Sequence, residues 1–421
     1  MTTKFHLVTL TSLPPPGRFL FLVQPRKRFL LSGAPSAAQI GAADTGKTVR
    51  NKTGGNTGNV LITHSLLAAL QYDTVSPLRG NIQSGFEELR EQHDLIVFPA
   101  SNFLNRSCDF GALAKIVEQL QLPCLVGGLG AQSNDERNPR IPLKPGTRRL
   151  IDLMAERSHK LGVRGEYTAA VLAEMGIHNV EIIGCPSFYA SCSPEFFALR
   201  KVPDEQLRRI AINGSRTVAG LSFDRKRMAA VETALVKAAM NYDSIFIAQA
   251  EPEEITLALD PASVSDSDLA GLTNYYADIP ASEIISFFRR NIRVHADIDQ
   301  WRASLKTFDF VIGTRFHGAL IALQAGVPAM LLAHDTRTLE MARLFALPHR
   351  RIDDPVAFSR KRNRWSALRD RFSGKKDDKP MIDIRALYRE TDFAPTAEAY
   401  ARLYPKYKAF LEGAGVAHNL A

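Results

Sequence analysis

Asp309-Phe310-Val311-Ile312-Gly313-Thr314-Arg315-Phe316-His317-Gly318-Ala319-Leu320 changes its apolar period at Gly313. Residues 308–312 read as a buried strand. From Gly318 the apolar positions Leu320, Ile321 and Leu323 follow helical spacing over 319–324, and Gly326-Val327-Pro328 ends the helix and opens the next strand. A short strand, a turn and a helix in that order are one unit of a parallel sheet. Ligands of such sheets sit beyond the carboxyl ends of the strands. The polar residues of this turn are therefore the first candidates for chemistry. Arg315 supplies a permanent cation, His317 a titratable ring, and the helix start a set of fixed backbone donors, which together suit a phosphate or carboxylate. A lone histidine in an apolar setting is commonly structural; the arginine at the same turn favours function here.

Outward from this turn the same alternation fills two stretches. Strands are expected at 29–31, 95–98, 124–128, 160–163 and 180–184, with helices at 60–70, 86–92, 110–120, 147–156 and 167–175. A polar, proline-containing gap over 193–215 separates them from a second series. There strands are expected at 218–223, 245–247, 308–312 and 327–332, and helices at 228–240, 282–289, 298–306 and 319–324. The fold class that follows is α/β, with two doubly wound, Rossmann-like domains facing across a cleft. Their expected bounds are 28–200 and 205–350, preceded by an irregular arm over 1–27. A basic segment and C-terminal helices follow over 351–421, 395–411 being the clearer helix.

The chain has 421 residues, enough for two cores. Its formal net charge is +9, and such an excess draws anions. The cations crowd into Arg26-Lys27-Arg28 and into the stretch from Arg360 to Lys379. That late run reads as a solvated face or as a contact for an anionic membrane surface. No basic strand is interleaved with aromatics, so nucleic acid is not an expected partner. No apolar stretch is long enough to cross a bilayer. Leu13-Pro14-Pro15-Pro16 breaks any secretory segment, so a cytoplasmic location is expected. Cys108, Cys124, Cys185 and Cys192 form no CxxC pair and have no histidine at zinc spacing. They are expected to be reduced, with no metal.

Gly41-Ala42-Ala43-Asp44-Thr45-Gly46-Lys47-Thr48 matches the spelling of a phosphate-binding P-loop. That loop needs a strand before it and a helix after it. Residues 35–40 make a poor strand, and residues 49–55 are read as non-helical, so the match is set aside.

Three other turns have the right place and composition. Gly162-Val163-Arg164-Gly165-Glu166-Tyr167-Thr168 runs from a strand through an arginine into a helix; Arg164 faces a ligand or pairs with a neighbouring acid. Gly54-Gly55-Asn56-Thr57-Gly58-Asn59 lets backbone approach a ligand, or is a plain tight turn. Gly127-Gly128-Leu129-Gly130 is a glycine-rich strand end, a weak signal by itself.

Together these segments resemble the polysaccharide pyruvyltransferase family. Asn56-Thr57-Gly58-Asn59 looks like its early Asn-x-Gly-Asp/Asn turn. Val163-Arg164-Gly165-Glu166-Tyr167, continued by Gly184-Cys185-Pro186, is similar to its central arginine helix and Gly-(Asp/Cys)-Pro turn. Gly313-Thr314-Arg315-Phe316-His317-Gly318 looks like its Arg-(Leu/Phe)-His signature, the most specific of the three. The resemblance covers roughly residues 54–345. It implies a GT-B-like architecture and the transfer of pyruvate from phosphoenolpyruvate onto a sugar as a ketal, with no further cofactor. It implies that Arg164, Arg315 and Phe316 hold the donor and that His317 moves protons, with Asn56 and Asn59 lining the site. Asp335-Thr336-Arg337 has Arg337 where the family often has lysine, which keeps the charge. The implied acceptor is an oligosaccharide or a lipid-linked saccharide, which places the protein in the cytoplasm or at the inner face of the membrane. One rival is a GT-B glycosyltransferase using a nucleotide sugar, with Glu340 as the ribose-binding acid. The other is a saccharide- or lipid-surface binder without activity. An intact Arg315-Phe316-His317 argues against the latter.

Overall fold

The computed structural model describes residues 26–421 except 42, 79–81, 83, 84, 355–357 and 359–378. The expected N-terminal arm, up to residue 25, and the basic run, apart from Lys379, lie outside the described residues. Lys379 donates to Asp278 across 2.9 Å.

Two six-stranded sheets organise the chain. The first contains β1 (Lys27–Leu31), β2 (Tyr72–Pro77), β3 (Leu95–Pro99), β4 (Cys124–Leu129), β5 (Leu161–Val163) and β6 (Val180–Ile182), in the order β2-β1-β3-β4-β5-β6. The second contains β7 (Arg209–Asn213), β8 (Asp243–Ala248), β9 (Ile292–Val294), β10 (Phe310–Gly313), β11 (Ala329–Ala333) and β12 (His349–Arg351), in the order β12-β11-β10-β7-β8-β9. Every pairing is parallel. All residues of β3, β4, β10 and β11 are buried, because helices cover both faces. In the second sheet the strand order reverses between β7 and β10. The crevice for a ligand opens at such a reversal. The architecture is the expected α/β pair of doubly wound, GT-B-like units.

The structure corrects two local readings. Residues 218–223 are not a strand; β7 lies earlier, and Arg216–Leu221 forms a 3-10 turn. Val218 and Leu221 stand three apart, the spacing of one face of such a turn. Residues 49–52, read as non-helical, belong to the helix Gly46–Lys52. Thr45 and Thr48 cap its start reciprocally, and Val49 is buried in the core of the second sheet. This helix does not convert the P-loop spelling into a P-loop. Gly46 N–H donates to the Thr256 hydroxyl at 3.0 Å, and a Cβ at Gly46 would overlap the Pro252 carbonyl. Its start is docked on the helix Pro252–Leu259, and Lys47 is exposed.

The tail returns to the first sheet. The helix Ala394–Gly413 lays Tyr400, Tyr404 and Tyr407 against Tyr189 and Phe188. Tyr189 and Tyr407 stack with centroids 4.4 Å apart. Beyond it, Gln71 N–H donates to Ala417 O, and Asn419 N–H to Ala69 O. The two halves also meet directly. Gln132 Nε2 donates to Asp335 at 2.7 Å, and Ser133 and Thr336 exchange two bonds. Glu136 pairs with Arg343 and Arg351. No described helix is long and apolar enough to cross a membrane.

Candidate functional site

Asn213, at the carboxyl end of β7, pairs in register with Gly313 at the end of β10. Gly313 has no side chain because Asn213 occupies that space. The Asn213 amide then accepts from Arg315 N–H at 2.7 Å and fixes the turn. The chain enters the helix Phe316–Gln324 at once, and no side chain caps it. Arg315 and His317 are thereby held at the point where the strand order reverses.

Arg315 is 4% exposed. Its Nε donates to Gly214 O at 2.7 Å, and its Nη2 donates to both oxygens of Glu251 at 2.5 and 2.7 Å. Burial opposes ionisation of Glu251, yet Arg315 and the Thr217 amide and hydroxyl hold its pKa below the ordinary value. Arg164 is 1% exposed. It donates to Gly128 O, Asn102 Oδ1 and Ala100 O, at 2.8, 2.5 and 3.4 Å. The glycine cluster at 127–130 makes this seat: a Cβ on Gly130 would lie 2.7 Å from Arg164 Cδ. Arg337 is the least engaged of the three. It reaches Asp335 only at 3.5 Å, and its buried Nε has no partner. The Arg164 and Arg315 guanidiniums do not point into an open cleft. They are buried instead, because fixed carbonyls and Glu251 take the place of solvent.

His317 lies within electrostatic reach of all three guanidiniums. Burial holds its pKa well below the ordinary value, and Arg164, Arg337 and Arg315 lower it further by repulsion. The ring is neutral at pH 7. His334 is likewise pressed to about 4 by burial, with Asp335 opposing. Burial raises Glu254 and Glu232, the latter against bonds from Thr314 and Tyr275. Glu340 is pushed up to about 7 by burial, against its bonds from Thr168. Glu251 and Asp335 stay ionised among the guanidiniums, the latter held at about 2, against burial, by Arg337, His334 and Thr338. The charges acting on His317 are all guanidiniums, so the field at the ring is positive and receptive to an anion.

The remaining expected residues are placed as follows. Phe316 is 3% exposed and packs in the core with a tilted stack on Phe345, so it presents no face to a ligand. Asn56 Oδ1 accepts from Gly58 N at 2.7 Å and caps the helix Thr57–Ala69. Asn59 Nδ2 donates to Gly54 O at 2.8 Å. Both amides close the turn. Glu340, the acid of the nucleotide-sugar rival, accepts from Thr168 N and Oγ1 at 3.0 and 2.7 Å. Both its oxygens are engaged in joining the halves. All four cysteines are free, two of them buried, and no metal-holding group of His, Cys, Asp or Glu occurs among the described residues.

Sequence reasoning quoted Cys185 only as part of the Gly184-Cys185-Pro186 turn, gave it no place in the site, and missed Gln249 and Glu251. Cys185 Sγ stands 3.5 Å from His317 Nε2. Gln249 is 1% exposed, and neither atom of its amide has a protein partner. Both Gln249 and Glu251 follow the carboxyl end of β8, the position that singled out Arg315, but the surrounding acidic run masked them.

Gly58 ties the early turn to this centre. A Cβ there would stand 2.9 Å from both Cβ and Nδ1 of His317. Glycine to alanine inside a helix ordinarily stabilises by about 0.5–1 kcal/mol. Gly58→Ala is expected to reverse that sign, costing about 1–3 kcal/mol by overpacking. Turnover should fall with it as the imidazole shifts. Thermal unfolding and steady-state rates check both.

Residues 56–336 match the family model for polysaccharide pyruvyl transferase. No curated protein matches the chain. Among solved structures, the UDP complex of S. aureus MnaA is 12% identical with TM-score 0.42, over 92% of this chain and 97% of that one. Anabaena HepE in complex with UDP and glucose is 11% identical with TM-score 0.43, over 92% and 99%. A UDP-GlcNAc 2-epimerase from Neisseria meningitidis is 8% identical with TM-score 0.39, over 91% and 100%.

Proposed function

This chain belongs to the polysaccharide pyruvyl transferase family, and from that premise we propose that it moves pyruvate from phosphoenolpyruvate onto a sugar as a ketal. The observation that carries the reading is the convergence of Arg164, Arg315 and Arg337 on a neutral His317. Phosphoenolpyruvate brings a phosphate and a carboxylate, and a positive, largely dry centre suits both. Arg337, with an unpartnered Nε, is the guanidinium free to bind it. Arg164 and Arg315, already held, set the field around it.

Ketal formation protonates the methylene carbon of the donor and leaves a cationic centre at the enol carbon. One sugar hydroxyl oxygen bonds there and loses its proton, matching the one added to the methylene carbon; a second bonds and gives up its proton as phosphate departs. A neutral imidazole is the right form to take a hydroxyl proton and return it to the leaving phosphate. The acceptor is an oligosaccharide or lipid-linked saccharide, and the basic run over 360–379 is the proposed contact with an anionic membrane surface.

Incubating the full chain with phosphoenolpyruvate and a panel of oligosaccharides should release phosphate. One product should gain the mass of pyruvic acid less one water. Release of nucleoside diphosphate from nucleotide sugars, with phosphoenolpyruvate left intact, would overturn the reading.

A further inference from the structure

We propose that Cys185 is the positioning residue for His317: its sulfur accepts the Nε2 hydrogen of the imidazole and leaves Nδ1 as the basic nitrogen that takes the substrate's proton. This rests on the pyruvyl-transfer reading for its kinetic part and on geometry alone for the rest.

Cys185 lies in the turn after β6, on the first sheet's side, and is fully buried. His317 comes from the second. Their side chains meet across the junction at 3.5 Å from Sγ to Nε2, within reach for a bond involving sulfur. The sulfur is biased toward accepting. Ser187 Oγ, itself buried, already donates to it at 3.0 Å. Nδ1 points the other way, toward Gly58 and the glycine-bearing turn at 54–59. A ring held by one nitrogen offers the other in a single tautomer. A partner that fixes that tautomer is a recurring requirement of histidine catalysis.

The arrangement explains why an imidazole among three guanidiniums keeps one orientation without a carboxylate beside it. A carboxylate would pull the ring toward the charged form. A thiol orients it and leaves it neutral. It also makes the proton carrier a product of docking, since neither half alone contains both Sγ and the imidazole.

The test uses the full chain with and without substrate. Nitrogen NMR of the His317 ring in the free protein should show the hydrogen on Nε2. Cys185→Ala should give a mixture of tautomers, and Cys185→Ser should move the ring back toward the original one. In turnover, Cys185→Ala should lower kcat by about tenfold to a hundredfold, the usual scale for losing an orienting partner. KM for phosphoenolpyruvate should stay within about twofold, because the donor clamp is untouched. Cys185→Ser should recover part of the loss. A wild-type ring protonated on Nδ1, or an unchanged kcat in Cys185→Ala, overturns the proposal. So does a fall in kcat that tracks thermal stability and is not recovered by serine. A wild-type protein that releases no phosphate defeats the pyruvyl-transfer reading instead, while the ring spectra still decide the contact.

Discussion

His317→Ala is expected to lower turnover by about a hundredfold to ten-thousandfold, the span usual for a general acid–base group. Phosphoenolpyruvate should still bind, since the charge that attracts it sits on Arg164, Arg315 and Arg337. A fluorescence or calorimetric titration separates that binding from the rate. The pH profile of the wild type carries the same signature. In the free protein, burial and then the three arginines depress the His317 pKa. The ring therefore stays neutral as pH falls through the ordinary histidine value, and the acid limb of kcat/KM should lie below about 6.5. A bound anionic donor favours the imidazolium, so the acid limb of kcat should lie above that of kcat/KM. Near-normal turnover by the alanine variant, or an acid limb of kcat/KM at or above the ordinary value, would remove His317 from the chemistry.

Arg315→Met is expected to destabilise the fold by about 3–5 kcal/mol, because it strands a buried carboxylate. Glu251 is fully buried, and Arg315 is its bidentate partner. Without the guanidinium its pKa must climb. A group whose folded pKa rises above its unfolded one costs stability as pH increases through that interval. The variant should therefore be weakest at neutral pH and regain stability in mild acid. A loss of this size is a large share of the ordinary stability of a folded domain. Removing both charges, in Arg315→Met with Glu251→Leu, should recover part of the stability, since an apolar pair often substitutes for a buried ion pair. Activity should not return. Urea unfolding at neutral and mildly acidic pH reads the first effect and phosphate release the second. Full activity in the double variant would show that Arg315 only holds the turn together.

The strands legible in the sequence are chiefly the buried ones. β3, β4, β10 and β11 read as apolar runs because both faces of each are covered. Of the four strands that escaped reading, β2, β9 and β12 are sheet edges, and the fourth, central β7, lies inside the span read as a polar gap. Tyr72–Pro77 is mostly polar, and β9 and β12 have three residues each. An edge packs against one neighbour and needs little apolar sequence. The site divides in the same way. Arg164, Arg315 and His317 stand at strand ends, so position alone exposed them. Their partners were hidden because pairing is decided by docking. Cys185 and His317 are 132 residues apart, and nothing local in Gly184-Cys185-Pro186 says which surface the thiol will meet. Phe316 illustrates the converse. The middle residue of a motif can be taken by the core when the helix turns its side chain inward.

The return of Ala394–Gly413 to the first sheet bears on how the protein is made. A ribosome releases the residues of β1–β6 long before it has synthesised Tyr400, Tyr404 and Tyr407. Until those rings arrive, Tyr189 and Phe188 have no cover on that face. Domains generally fold as units, the earliest synthesised first. Here one face of the earliest must wait for the latest, holding an aromatic surface exposed while roughly half the chain is still being translated. That interval is when nascent chains are most prone to stick to one another or to recruit chaperones. A protein whose two sheets each look self-sufficient therefore completes one face of its first sheet only at the end of synthesis, while the other face is built from residues 30–177 alone.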